Sequence, residues 1–208
     1  QGTPNARRVL LYAPPEDDTR QAFVSILRRL SLSDHWELEP VASATDSSAS
    51  SSDLTHVLSG AVNHCRIVLR CKALVLAGMD WPEISAELVE RLANAAIGGR
   101  ARISAAADGG YVALAIPASE RTEAEAFRDV LWSSNKTCES QMRALEQAGI
   151  ECELDAVVGD DVDTLSDLHR LQERIRVSSN ATVASCNHVR AMLSEHCETV
   201  GSDFVSLY

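Results

Sequence analysis

Two arginines stand out in a chain of 208 residues whose formal net charge is −11. Asn63, Arg66 and Arg70 are spaced so that a helix through them sets all three on one face. Guanidinium groups near a helix start bind anions through paired, charge-assisted hydrogen bonds. The chemistry they suggest is capture of a phosphate. Little else suggests catalysis. The chain lacks G-x-x-x-x-G-K-[ST], G-x-G-x-x-G, G-x-S-x-G and H-E-x-x-H. Serine is abundant, yet none sits on an identifiable nucleophile turn with a histidine in a matching role. Asp17-Asp18 resembles the acidic pair of a response-regulator receiver. The third short apolar run, however, ends in Leu58-Ser59 and lacks the acceptor aspartate. The pair reads instead as charge favouring a helix start.

Cys186, His188, His196 and Cys197 match no common zinc-module spacing, so neither a metal nor a cofactor is expected. The six cysteines show no C-x-x-C pair. They read as reduced, mostly buried thiols of an intracellular protein. An acidic surface repels phosphate backbones, which argues against nucleic acid as a partner. No apolar stretch approaches the roughly 20 residues that span a bilayer, and no signal peptide is read at 1–8. A domain belonging to a longer protein is expected.

These residues need elements to position them. Hydrophobic residues make up 45% of the chain and aromatics only 4%, so Leu, Val, Ile and Ala must form the core. Strands are predicted at 8–12, 36–41, 55–58 and 79–84. Helices are predicted at 18–32, at 62–76 stopped by Gly78, and from a Ser85 cap through Leu92. The serine-rich segment 43–53 is predicted to be a disordered loop. Residues 102–107 and 111–116 flank Asp108-Gly109-Gly110, a hairpin signal. A similar order then recurs: a strand at 130–132, a helix at 138–148 stopped by Gly149, a strand at 150–154 and another at 156–158. A helix at 163–175 follows, then shorter elements from 181 to 208.

Thr55-His56-Val57-Leu58-Ser59-Gly60 and the segments 65–78 and 79–92 resemble the second half of a BRCT repeat. Residues 196–208 resemble its closing strand and helix, with Phe204 where tryptophan is usual, and 143–153 resemble its first helix and second strand. The chain is thus identified as similar to a tandem BRCT pair. A narrower resemblance is to the carboxy-terminal BRCT region of a kinetoplastid kinetochore protein. The resemblance implies an α/β fold of two BRCT-like repeats, each a small parallel sheet flanked by helices, packed in tandem. The repeats would occupy 8–97 and 128–208, with a connector and possible hairpin at 98–127.

In such pairs a hydroxyl after the first strand, the next backbone N–H and a lysine of the second helix hold a phosphate. Here the resemblance places Tyr12 or Thr55 as the hydroxyl, Ala13 as the backbone position, and Arg66 or Arg70 as the cation. Ser133, Ser134 and Lys136 form a second-ranked set. The expected function is a non-enzymatic, monomeric, phosphopeptide-binding module of a nuclear or chromosomal assembly, working away from membranes. The alternatives are a phosphate-independent scaffold and, behind it, a divergent α/β enzyme.

Overall fold

The computed structural model describes residues 6–12, 15–40 and 54–177. Ala13, the segment 43–53, and everything read at 181–208, including the Cys186, His188, His196 and Cys197 group, lie outside the described residues. The elements in chain order are β1 (Val9–Tyr12), α1 (Asp17–Arg29), β2 (Glu37–Pro40), α2 (Leu54–Asn63) and β3 (Ala73–Ala77). Then follow α3 (Ala86–Ile97), β4 (Ala101–Ala105), β5 (Tyr111–Pro117), α4 (Glu120–Glu125), α5 (Thr137–Gln147), β6 (Cys152–Leu154) and α6 (Leu165–Val177). A π-helical turn, His64–Val68, extends α2.

Local chemistry explains where the helices start and stop. Asp17 and Asp18 occupy the first turn of α1, and Arg28 and Arg29 the last, so both ends complement the helix dipole. Ser85 caps α3 by accepting a hydrogen bond from the Leu88 N–H. Leu88, Leu92, Ala95 and Ala96 then recur on one buried face. After α5 the chain turns at Gly149, whose φ of 68° is the left-handed conformation that glycine adopts without strain.

The strands form two sheets. β1 and β2 pair in parallel, and a four-stranded mixed sheet has the order β3-β5-β4-β6. β5 runs antiparallel to both neighbours, while β4 and β6 are parallel. Val112 through Ile116 of β5 are all buried, as befits a central strand covered on both faces. Its small Ala113 and Ala115 let α3 approach through Leu88, Leu92 and Ala96. Leu114 and Ile116 pack on the other face with Ile103, Phe127 and Leu145. The buried Gln141 amide is paired at both ends. Gln141 Nε2 donates to the Ala126 carbonyl at 2.6 Å, and Gln141 Oε1 accepts from the Tyr111 hydroxyl at 3.2 Å.

The α/β class holds, but two repeated parallel sheets are not what the chain builds. β3 comes from the span read as a first repeat, β4 and β5 from the connector, and β6 from the second span, yet they share one ladder. The Asp108-Gly109-Gly110 turn is the physical reason. It folds β5 back between β3 and β4, which makes the sheet mixed. Individual elements are corrected too. Residues 55–58 are helical within α2, and 62–76 break into the π turn and β3 instead of continuing as a helix. Short apolar runs fit a buried strand or a buried helix equally well, so periodicity does not separate them.

Candidate functional site

The sheet brings three chain segments to one edge. Ala77 of β3 pairs with Ala113, Ala105 of β4 pairs with Tyr111, and Ile103 of β4 pairs with Leu154 of β6. The carboxyl ends of β3, β4 and β6 therefore lie side by side, where α/β sheets commonly bind ligands. Each of the three ends runs into aspartate.

After β3, the Gly78 N–H still donates to the Val112 carbonyl at 3.0 Å, and the chain then turns to Asp80. The Asp80 carboxylate folds back over Gly78 so closely that an added Cβ would lie 2.3 Å from its Oδ1. After β4, Asp108 Oδ1 accepts from the Gly110 N–H at 2.8 Å and shapes the turn. Gly109 has φ 94°, and a Cβ there would come within 2.1 Å of the Asn135 carbonyl oxygen. The Gly109 carbonyl in turn accepts from Cys138 N–H at the start of α5, 3.0 Å away.

Beyond β6 the chain stays bound to the sheet edge. Gly159 bridges to Ala106, Ser104 Oγ donates to the Val157 carbonyl at 2.7 Å, and Val162 N–H donates to the Asp80 carbonyl at 2.9 Å. One ligand oxygen each from Asp80, Asp161 and Asp163 then lies within 4.8 Å of the others. This crowding acts on Asp161. Partial burial, and then the charges of Asp108, Asp163 and Asp80, push its pKa above the ordinary aspartate value.

Such a donor set suits a hard divalent cation. Mg²⁺ and Ca²⁺ take carboxylate oxygens at about 2.1 and 2.4 Å, so opposite ligands lie roughly 4–5 Å apart. Asp80, Asp161 and Asp163 could hold such an ion, with Asp108 adding to the local negative field. Asp155, just upstream, plays a different part. Burial opposes its charge, but hydrogen bonds from Arg91 and the Val157 N–H, with the nearby Arg102 charge, hold its pKa below the ordinary value. It anchors α3 to the strand end.

The residues expected to bind phosphate lie elsewhere. Tyr12 ends β1, buried, with its ring centroid 6.1 Å from that of Phe23. Thr55 Oγ1 accepts from Trp132 Nε1 at 2.8 Å and contacts the Phe127 carbonyl at 3.4 Å. Arg66 Nη2 lies 2.7 Å from Glu123 Oε2, and Asn63 Nδ2 donates to the other oxygen of the same carboxylate. These two hydrogen bonds, Arg66 first, lower the Glu123 pKa. Arg70 lies beyond the π turn with φ 53°, so Arg66 and Arg70 do not share a regular helical face. Of the second set, Ser134 Oγ accepts from the Lys136 N–H at 3.1 Å, in the turn that leads into α5.

Residues 1–134 match the model of a family described as "Uncharacterized protein conserved in bacteria", DUF2064. The chain belongs to the DUF2064 family. No curated protein matches it in sequence. Among solved structures it resembles one from Desulfovibrio desulfuricans G20 described as a "putative nucleotide-diphospho-sugar transferase". The TM-score is 0.67 at 21% identity, over 92% of this chain and 77% of that one. DUF2064 membership overturns the BRCT assignment and the kinetochore resemblance. A family conserved in bacteria also overturns a nuclear location. The phosphopeptide-module reading rested on that assignment and falls with it. The non-enzymatic reading, drawn from the absence of catalytic motifs, is corrected by a fold shared with a protein described as a "putative nucleotide-diphospho-sugar transferase".

The acidic edge of this DUF2064 chain escapes a reading of local spacing because its members are scattered along the sequence. A signal is there all the same. Three apolar runs end in glycine and aspartate: ALVLAGMD, ISAAADGG and AVVGDDVD.

Proposed function

We propose that this chain is a cation-assisted transferase acting on a nucleotide-diphosphate sugar, with the ion held by Asp80, Asp161 and Asp163. The convergence of these carboxylates at the ends of β3 and β6 carries the reading. The activity in the structural neighbour's description and the shared fold support the substrate class.

The electrostatics supports the same reading. Asp80, Asp108, Asp161 and Asp163 would repel a diphosphate by themselves. A divalent ion reverses the local sign, and when bound it neutralises charge that develops on a departing nucleoside diphosphate. The protein's own share is to orient the ligand oxygens. Gly78 lets Asp80 fold back, Gly109 seats the turn that carries Asp108, and the Asp80 carbonyl holds the Asp161–Asp163 segment through the Val162 N–H.

Calorimetric titration with Mn²⁺, followed by UDP- and GDP-sugars, tests this. Sugar-nucleotide binding should require Mn²⁺, and Asp80→Asn should abolish both. If wild type takes up no Mn²⁺ at millimolar concentration, or binds the sugar nucleotides equally well in EDTA, the reading is wrong.

A further inference from the structure

The segment carrying two of the three cation-site carboxylates is fastened largely by α6. Asp160 is paired with Arg174 Nη1 at 2.5 Å and with Arg170 Nη2 at 3.5 Å. Val162 packs with Leu168 against the buried Leu171 and Ile175, forming a small core apart from the two larger ones. The Asp163 N–H donates to Asp167 Oδ2 at 3.2 Å. Asp167 and Thr164 also cap each other at the start of α6: the Thr164 N–H lies 2.7 Å from Asp167 Oδ2, and the Asp167 N–H 3.3 Å from Thr164 Oγ1. The side chains tied to α6, Asp160 and Val162, alternate with Asp161 and Asp163, whose carboxylates converge with Asp80.

Arg174 reaches across to the third carboxylate's segment as well. Its Nε lies 3.1 and 3.0 Å from the two oxygens of Glu83, and its Nη2 lies 2.6 Å from Oε2. Glu83 is three residues beyond Asp80, past the buried Trp81. One guanidinium thus spans the chain after β3 and the chain after β6, a geometry that a planar fork of donors provides and a lysine does not.

We infer that α6 is a clasp for the cation site, with Arg174 as its positioning residue, so that docking of α6 and binding of the ion stabilise each other. The inference rests on the cation reading above. Reciprocity is required thermodynamically: if a docked α6 tightens ion binding, the ion must tighten α6 docking by the same factor. Groups behind metal ligands commonly change affinity about 10- to 100-fold when removed.

The sign of the effect separates positioning from simple field effects. Arg174 is a positive charge near a site for a positive ion. If it acted only through its field, Arg174→Met would tighten Mn²⁺ binding. Acting as a clasp, its loss should weaken binding about 10-fold. The test uses the full chain. Mn²⁺ is titrated into wild type, Asp80→Asn, Arg174→Met and the control Arg143→Met, which removes an exposed ion pair with Glu139 on α5. Hydrogen exchange of wild type with and without Mn²⁺ gives a second readout that depends on no variant folding. The expected result is weaker binding in Arg174→Met, no change in Arg143→Met, and slower exchange across residues 165–177 when Mn²⁺ is present. Equal or tighter binding by Arg174→Met, or exchange in α6 indifferent to Mn²⁺, overturns the clasp while leaving the cation reading intact. A wild-type chain that binds no Mn²⁺ removes both.

Discussion

Gly109→Ala should be among the most damaging single-methyl changes in the described chain. The magnitude has three parts. A residue with a side chain held at φ 94° gives up roughly 1–2 kcal/mol relative to glycine. The new Cβ would lie 2.1 Å from the Asn135 carbonyl oxygen, a backbone atom that cannot swing aside. The turn must therefore withdraw from α5 and stretch the 3.0 Å hydrogen bond between the Gly109 carbonyl and Cys138 N–H, a loss of about 1 kcal/mol. Together these give about 2–3 kcal/mol, and for a chain of this size that lowers Tm by about 4–12 °C. Gly60→Ala is the matched control. Gly60 lies inside α2, where an added Cβ would meet no atom within 4 Å, so alanine should stabilise by about 0.5–1 kcal/mol. Thermal melts followed by far-UV circular dichroism, at equal protein concentration and in EDTA, measure both. A Gly109→Ala melt within about 2 °C of wild type would show that the turn relaxes freely, and the strain argument would be wrong.

Gln141→Leu should cost about 2 kcal/mol in urea titration, because it leaves the Ala126 carbonyl and the Tyr111 hydroxyl without their buried partner; an unchanged midpoint would contradict this. Asp155 has a folded pKa held below its unfolded value, so its contribution is present above the unfolded pKa and is lost as pH falls through the folded one. Asp155→Asn should therefore destabilise at neutral pH, with the gap from wild type closing below about pH 4, as equilibrium unfolding at several pH values would reveal. Asp161 has the opposite sign. Its folded pKa is raised, so stability is lost as pH rises through that value. Asp161→Asn should raise Tm in EDTA at neutral pH while weakening Mn²⁺ binding; a lower Tm in EDTA would show that the carboxylates do not repel as described.

Elements with a local chemical cause can be read directly from the residues. The acidic start of α1, the Ser85 cap of α3, the Asp108-Gly109-Gly110 hairpin and the Gly149 stop all lie where turn and cap chemistry puts them. Residues 55–58 and 62–76 defeat such a reading because Val62 and Cys65 are buried in a helix and a π turn, while Leu74 and Leu76 belong to a strand. Nothing in an apolar run of that length distinguishes the two. The candidate site is hidden for a different reason. Asp80 and Asp161 become neighbours only through the β3-β5-β4-β6 ladder, so no local spacing encodes their meeting. Arg66 and Arg70 have the attraction of being close in sequence. Arg66 lies inside the π turn and Arg70 beyond it with φ 53°, so the regular helical face on which that reading depends is not formed.

The placement of β5 between β3 and β4 also sets an order of events during synthesis. β3, Ala-Leu-Val-Leu-Ala, is uncharged and its partner strand is β5, which leaves the ribosome later than β3 and after β4. With roughly 40 residues still to be made, at about 5–20 residues per second, this strand waits some 2–8 s for its partner. Throughout that interval it is an open, apolar edge of the kind that recruits other chains. The β4–β5 hairpin closes locally and quickly, so its completion covers the side of β3 that pairs with β5, while the outer side stays an edge of the β3-β5-β4-β6 ladder. Nascent chains stalled before the Asp108-Gly109-Gly110 turn should accordingly depend most on holdase chaperones, whereas those in which β5 has emerged and paired should depend on them less.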